Sequence, residues 1–164
     1  MTLRIDPMLP ADWPAAREIY LEGIATRQAT FETQAPSWEA WDASHSLFAR
    51  LVARKDETVV GWAALSPVSA RKAYAGVAEV SVYVAQSQRG AGLGRQLLEA
   101  LIAASEANGV WSLLAVMFPE NAGSVALHRR CGFREVGRRE RIARLDGVWR
   151  DTILLERRSQ QIGI

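Results

Sequence analysis

Cysteine is almost absent from this 164-residue chain, where Cys131 stands alone. One thiol excludes a disulfide framework and a cysteine-based metal site, so no metal is expected. Lysine is nearly absent too. Among 20 basic residues only Lys55 and Lys72 are lysines, and the rest are arginines. Acidic residues number 18, so the two signs nearly cancel. That balance gives no footing for nucleic acid or a membrane surface as a partner. No apolar run is long enough to span a bilayer. No early segment combines a basic start, an apolar core and a cleavage site, so a cytoplasmic protein is the default expectation.

What is present suffices for a core. Apolar residues make up 49% of the chain, which suits a single globular domain over residues 1–164. Residues 157–164 are expected to form a frayed tail. The periodicities give the order β-α-α-β-β-β-α-β-α-β-β. A strand at 2–5 precedes a helix with Asp12 as candidate N-cap and Ala16, Ile19, Tyr20 and Ile24 on one face. Ser37 caps a second helix carrying Trp38, Trp41, Phe48 and Leu51. His45 lies on that helix and receives no role. A hairpin follows around Lys55-Asp56-Glu57, then a strand at 77–84, a helix ending near Asn108-Gly109 and a continuous apolar strand at 111–118. A short helix runs from Asn121 to Gly132, and Asp146-Gly147 turns a last hairpin. This alternation implies an α/β mixed sheet with helices on both faces.

The densest chemical signal is Arg89-Gly90-Ala91-Gly92-Leu93-Gly94-Arg95, where a strand hands over to a helix. Glycines there let backbone N–H groups turn toward a ligand. The helix start adds unpaired donors and the positive end of the dipole. An anion site results, suited to phosphate or pyrophosphate. The dinucleotide fingerprint G-x-G-x-x-G fails here, because the third position falls on Arg95 or Leu97. The Walker loop fails as well, since no Lys-Ser/Thr follows Gly94.

A second signal is Glu79, the one acid between Glu57 and Glu99. Strand alternation puts Glu79, Ser81 and Tyr83 on one face and Val80, Val82 and Val84 on the other. A partly desolvated carboxylate has a raised pKa and can accept an ammonium proton. Its alternative is a strand-end carboxylate paired with arginine.

Arg89-x-x-Gly92-x-Gly94 resembles the pyrophosphate loop of the GCN5-related N-acetyltransferases, and the element order is similar along the whole chain. The resemblance implies acetyl-CoA as co-substrate and a central sheet whose strands splay around the thioester. It implies that the backbone of Val82, Tyr83 and Val84 pairs with the pantetheine arm and supplies the oxyanion donor. It also implies Asn121, with Ser124 beside it, as a cofactor contact. His128 stands where many members have a tyrosine that protonates the departing thiolate. A packing histidine is the alternative, and a buried inert thiol is the reading for Cys131.

Several strings are similar to the phosphinothricin and methionine sulfoximine acetyltransferase branch. They include Phe31-Glu32-Thr33, Ala70-Arg71-Lys72-Ala73-Tyr74, Glu79-Val80-Ser81-Val82-Tyr83-Val84 and Leu127-His128. That branch implies a homodimer acting on the α-amino group of a glutamate-like amino acid. Arg71 and Lys72 then clamp a carboxylate, Phe31 and Tyr74 wall the pocket, and Ser81 with Glu79 faces the substrate. Arg150, after Trp149, replaces a histidine of some members and leaves the head-group preference open. Two competing functions stay open: acetylation of a protein or peptide amine, and a catalytically silent acyl-CoA-binding module.

Overall fold

The computed structural model describes residues 2–164. Seven strands are present: β1 (Leu3–Pro7), β2 (Leu51–Lys55), β3 (Thr58–Pro67), β4 (Val77–Val84), β5 (Ser112–Met117), β6 (Arg134–Leu145) and β7 (Val148–Arg158). Four α-helices accompany them: α1 (Trp13–Ala25), α2 (Trp38–Ser44), α3 (Leu93–Ala107) and α4 (Ala122–Arg130). The strands form one sheet in the order β1-β2-β3-β4-β5-β7-β6. Every pair is antiparallel except β4–β5. The mixed α/β architecture agrees with the expected element order.

Alternation along β3 sorts the helices onto two faces. Trp62 and Ala64 point to a cluster with Trp13, Ala16 and Ile19 of α1 and Trp41 of α2. Ala63 and Leu65 point the other way, to Leu97, Leu98 and Leu101 of α3. Those three leucines are fully buried, each contributing roughly 1.5–3 kcal/mol through apolar burial. Both faces of the sheet are therefore covered around β3, while β6 is largely exposed.

Three local expectations are corrected. Helix α2 stops at Ser44, so Phe48 and Leu51 lie beyond it, and Leu51 begins β2. The helix end is satisfied early, because Ser44 Oγ donates to Trp41 O at 3.1 Å. Asp12 precedes α1 without capping it by its side chain. It accepts instead from Leu9 N at 2.8 Å and pairs with the Arg54 guanidinium at 2.8 Å. The last residues are tied down rather than frayed. Ser159 N donates to Trp111 O at 2.8 Å, and the Arg158 guanidinium donates to Ile162 O at 3.1 Å.

Candidate active site

The parallel pair β4–β5 is short. It joins Val77–Glu79 to Ser112–Leu114 and goes no further. β4 stays on β3 through Val84, and β5 stays on β7 through Met117. The two strands therefore diverge, leaving facing backbone edges with no strand partner. Unpaired N–H and C=O groups at the middle of a sheet call for water or a ligand. A cavity of about 1520 Å³ fills this wedge, lined by Val80–Val84 on one side and Ala115–Phe118 on the other.

One end of the cavity is a backbone anion cradle. Gly90 and Gly92 have φ of +83° and +80°. A Cβ at either would meet nothing within 4 Å, so the space beside the loop is open. Among the described residues, the N–H groups of Gly90 to Arg95 find no backbone acceptor. Arg89, Gly90, Gly92, Leu93, Gly94 and Arg95 line this end. The Leu93 side chain is core, and only its backbone serves the loop. Arg95 lies along α3 with Nε 2.7 Å from Glu99 Oε1.

The other end is walled by side chains. The β3–β4 register is continuous, so no bulge disturbs the alternation of Glu79, Ser81 and Tyr83. All three line the cavity, with Ser66 opposite Glu79 and Trp62 opposite Tyr83. Burial raises the Glu79 pKa, and the positive Arg139 partly offsets this. Burial also pushes the Tyr83 phenol upward. Tyr83 stacks on Trp62 at 5.0 Å and meets Tyr20 edge-on at 4.9 Å. Phe31 packs edge-on against Phe118 at 4.9 Å.

His128 is buried in α4 at the cavity wall. Its Nδ1 lies 2.8 Å from Ser124 O. A carbonyl only accepts, so Nδ1 carries the proton and Nε2 keeps its lone pair. Burial lowers the imidazole pKa, against the effect of the Ser124 carbonyl. Asn121 caps α4, with Oδ1 accepting from Ser124 N at 3.3 Å, while its Nδ2 donates to Gln28 O at 3.2 Å.

A diverging strand pair, a glycine cradle at a helix start and a half-buried carboxylate thus meet at one cavity. Residues 9–133 match the model of the acetyltransferase (GNAT) family. The chain belongs to that family. It is 35% identical over 137 residues to the L-methionine sulfoximine/L-methionine sulfone acetyltransferase of Pseudomonas aeruginosa, covering 81% of this chain and 73% of that protein. A phosphinothricin acetyltransferase from Sinorhizobium meliloti, solved in complex with AcCoA, superposes with a TM-score of 0.85 at 29% identity, covering 96% of this chain and 89% of that one. A ribosomal-protein-alanine N-acetyltransferase from Brucella melitensis superposes with a TM-score of 0.87 at 32% identity, covering 95% and 99%.

Within this acetyltransferase the expected site residues divide. Glu79, Ser81, Val82, Tyr83, Val84, Phe31, Asn121, Ser124, His128 and the loop residues converge on one cavity, apart from Ala91, which is exposed and outside the lining. Arg71, Lys72 and Tyr74 do not converge. They sit on an exposed turn outside the cavity, with the Arg71 guanidinium 5.8 Å over the Tyr74 ring. The turn leads directly into β4, yet none of the three lines the cavity of its own chain that holds Glu79. Arg150 is behind the wall rather than in it. Its guanidinium lies 4.0 Å over Phe118 and donates to Arg27 O and Gln28 Oε1, both at 3.0 Å. Sequence reasoning missed Trp41, His45, Trp62 and Ser66, which also line the cavity. The parity of β3 and the four-residue spacing of Trp41 and His45 were available signals, but nothing local says that the two faces meet.

Proposed function

We propose that this acetyltransferase moves the acetyl group of acetyl-CoA to the α-amino group of a small glutamate-like amino acid. The observation that carries this reading is Glu79, half-buried on the cavity face of β4 at the point where β4 and β5 part. Acetyl-CoA fits the wedge. The free N–H groups from Gly90 to Arg95 hold its pyrophosphate, and the unpaired edge of Val82 to Val84 holds its pantetheine arm. A backbone N–H on the same edge faces the developing oxyanion.

The chemistry needs two proton transfers. Glu79 removes one proton from the ammonium, and its raised pKa suits that task near neutral pH. The freed nitrogen forms a bond to the acetyl carbon, and the carbon–sulfur bond breaks. The second proton leaves the nitrogen and ends on the sulfur. Because the Ser124 carbonyl holds the Nδ1 proton of His128, the ring exchanges protons with the reacting atoms through Nε2. It serves by accepting at Nε2 and returning the proton to sulfur.

In this reading residues 1–164 act as one cytoplasmic domain and pair as a homodimer. Exposed apolar Val136, Ile142, Val148 and Trp149 on the β6–β7 hairpin suit such contact. The turn carrying Arg71 to Tyr74 then contributes at the cavity of the opposite subunit.

A second reading, acetylation of a protein N-terminus, draws on the ribosomal-protein-alanine relative. The residue 28–36 segment, which lines the acceptor end, favours a small molecule over a peptide. Thiol release with acetyl-CoA separates the two. The expected result is release with methionine sulfoximine or phosphinothricin and none with alanine-terminated peptides. Release with peptides alone overturns the amino-acid reading, and cofactor binding without release from any amine marks a silent module.

A further inference from the structure

The acceptor end holds a titratable side chain that the proposed reaction leaves idle. His45 follows α2 and is half-buried at the cavity wall. Its ring stacks on Trp41 at 4.1 Å and 16°, with Trp62 edge-on at 6.5 Å. Nδ1 lies 2.7 Å from Trp41 O and 3.0 Å from Ser44 Oγ. The carbonyl requires a donor, so the proton is on Nδ1 and Nε2 is bare. Among the described residues, the sealed and unpartnered side-chain polar atoms are Trp41 Nε1, Trp62 Nε1 and Thr152 Oγ1. Nε2 of His45 is not one of them and has no protein partner, so it is an accessible, unpaired nitrogen on a residue that lines the cavity.

Its position relative to Glu79 follows from the sheet. Ser46 N donates to Leu65 O at 2.8 Å, which docks this segment on the outer edge of β3. Ser66, next along β3, is the register partner of Glu79 on β4. His45 and Glu79 thus flank Ser66 from opposite sides, roughly 10 Å apart at the backbone by strand spacing. With a side chain reaching in from each end, that space suits an extended amino acid bearing a head group on its γ carbon.

We infer that His45 reads the acceptor's head group, offering Nε2 to head groups that carry an N–H or O–H donor. This rests on the amino-acid reading above and narrows it. A sulfoximine, with its N–H, satisfies a bare nitrogen; a sulfone or an ionised carboxylate presents only acceptors and leaves it unpaired. The surroundings favour the neutral ring. Burial lowers its pKa, the Trp41 carbonyl opposes this, and the positive Arg50 lowers it further. Arg50 is itself paired with Asp42. The other ionisable groups on the cavity are Glu32, Glu79, Tyr20 and Tyr83 beside the acceptor, His128 on α4, and Arg89, Arg95 and Arg130 toward the cradle.

The test is the ratio of kcat/KM for methionine sulfoximine to that for methionine sulfone. One well-placed hydrogen bond predicts a preference of about tenfold for the sulfoximine at pH 8. His45→Phe should bring the ratio near one through KM, with the acetyl-CoA KM unchanged, and His45→Gln should restore part of it. The ratio should shrink only below the lowered imidazole pKa, in the natural protein and not in His45→Phe. A ratio that His45→Phe leaves intact, with both acceptors turned over, overturns this inference alone. Failure of both amino acids to release thiol overturns the amino-acid reading and this inference with it.

Discussion

The two ends of the cavity are built from different materials. At the cradle the donors are backbone N–H groups on six consecutive residues, Gly90 to Arg95, and the side chains mostly point elsewhere. At the acceptor end the wall is side chains from α2, β3, β4 and the residue 28–36 segment. A backbone site depends on turn geometry and tolerates change in most of its side chains. A side-chain site depends on packing between distant segments and changes with each of them. In the proposed reading, recognition of the common co-substrate belongs to the first, and choice of acceptor to the second.

The strongest way to break this division is at its junction. Glu79→Gln should lower kcat by about 100-fold or more, the usual worth of a positioned base, while the acetyl-CoA KM stays nearly constant. Turnover that matches the natural protein between pH 7 and 9 would remove Glu79 from the chemistry. At the cradle, Gly92→Ala forces a left-handed alanine at a cost of roughly 1–2 kcal/mol. The acetyl-CoA KM should rise about tenfold, with the acceptor KM unmoved. Gly137→Ala is the control, since Gly137 has neither a positive φ nor a neighbour within 4 Å and is outside the cavity lining.

Smaller effects sharpen the acceptor side. Arg71→Ala should raise the acceptor KM several-fold, on the order of one lost charge-assisted hydrogen bond, and the acetyl-CoA KM little. Because Arg71 lies outside its own cavity, equal changes in both constants would count against the homodimeric arrangement. The smallest effect is a shift in pH dependence. Arg139 lowers a Glu79 pKa that burial has raised. Arg139→Gln removes the offset, so the folded pKa rises further and Glu79 loses its proton only at higher pH. The acid limb of kcat/KM should move upward in pH; a stationary limb would assign it to another group.

Much of the cradle end was legible because its determinants are local. Glycines at φ near +80°, a helix beginning at Leu93 and strand parity around Glu79 each follow from a few consecutive residues. His128 was legible in place but less so in role, since its tautomer depends on the Ser124 carbonyl one helical turn back. Arg71 to Tyr74 looked like a clamp from charge and aromaticity, which say nothing about which way an exposed turn faces. Arg150 resembled a specificity residue by position, yet its guanidinium braces Phe118 and residues 27–28 from outside.

The sequence by itself determined the order of elements, the faces of β4 and the anion loop, because helix period, strand parity and turn chemistry act over a few residues. Only the tertiary structure decided that β4 and β5 part after Glu79, that α2 ends early enough to turn His45 toward the cavity, and that Arg71 lies outside it. Those outcomes depend on packing and edge pairing between segments far apart in the chain, and no local pattern encodes them.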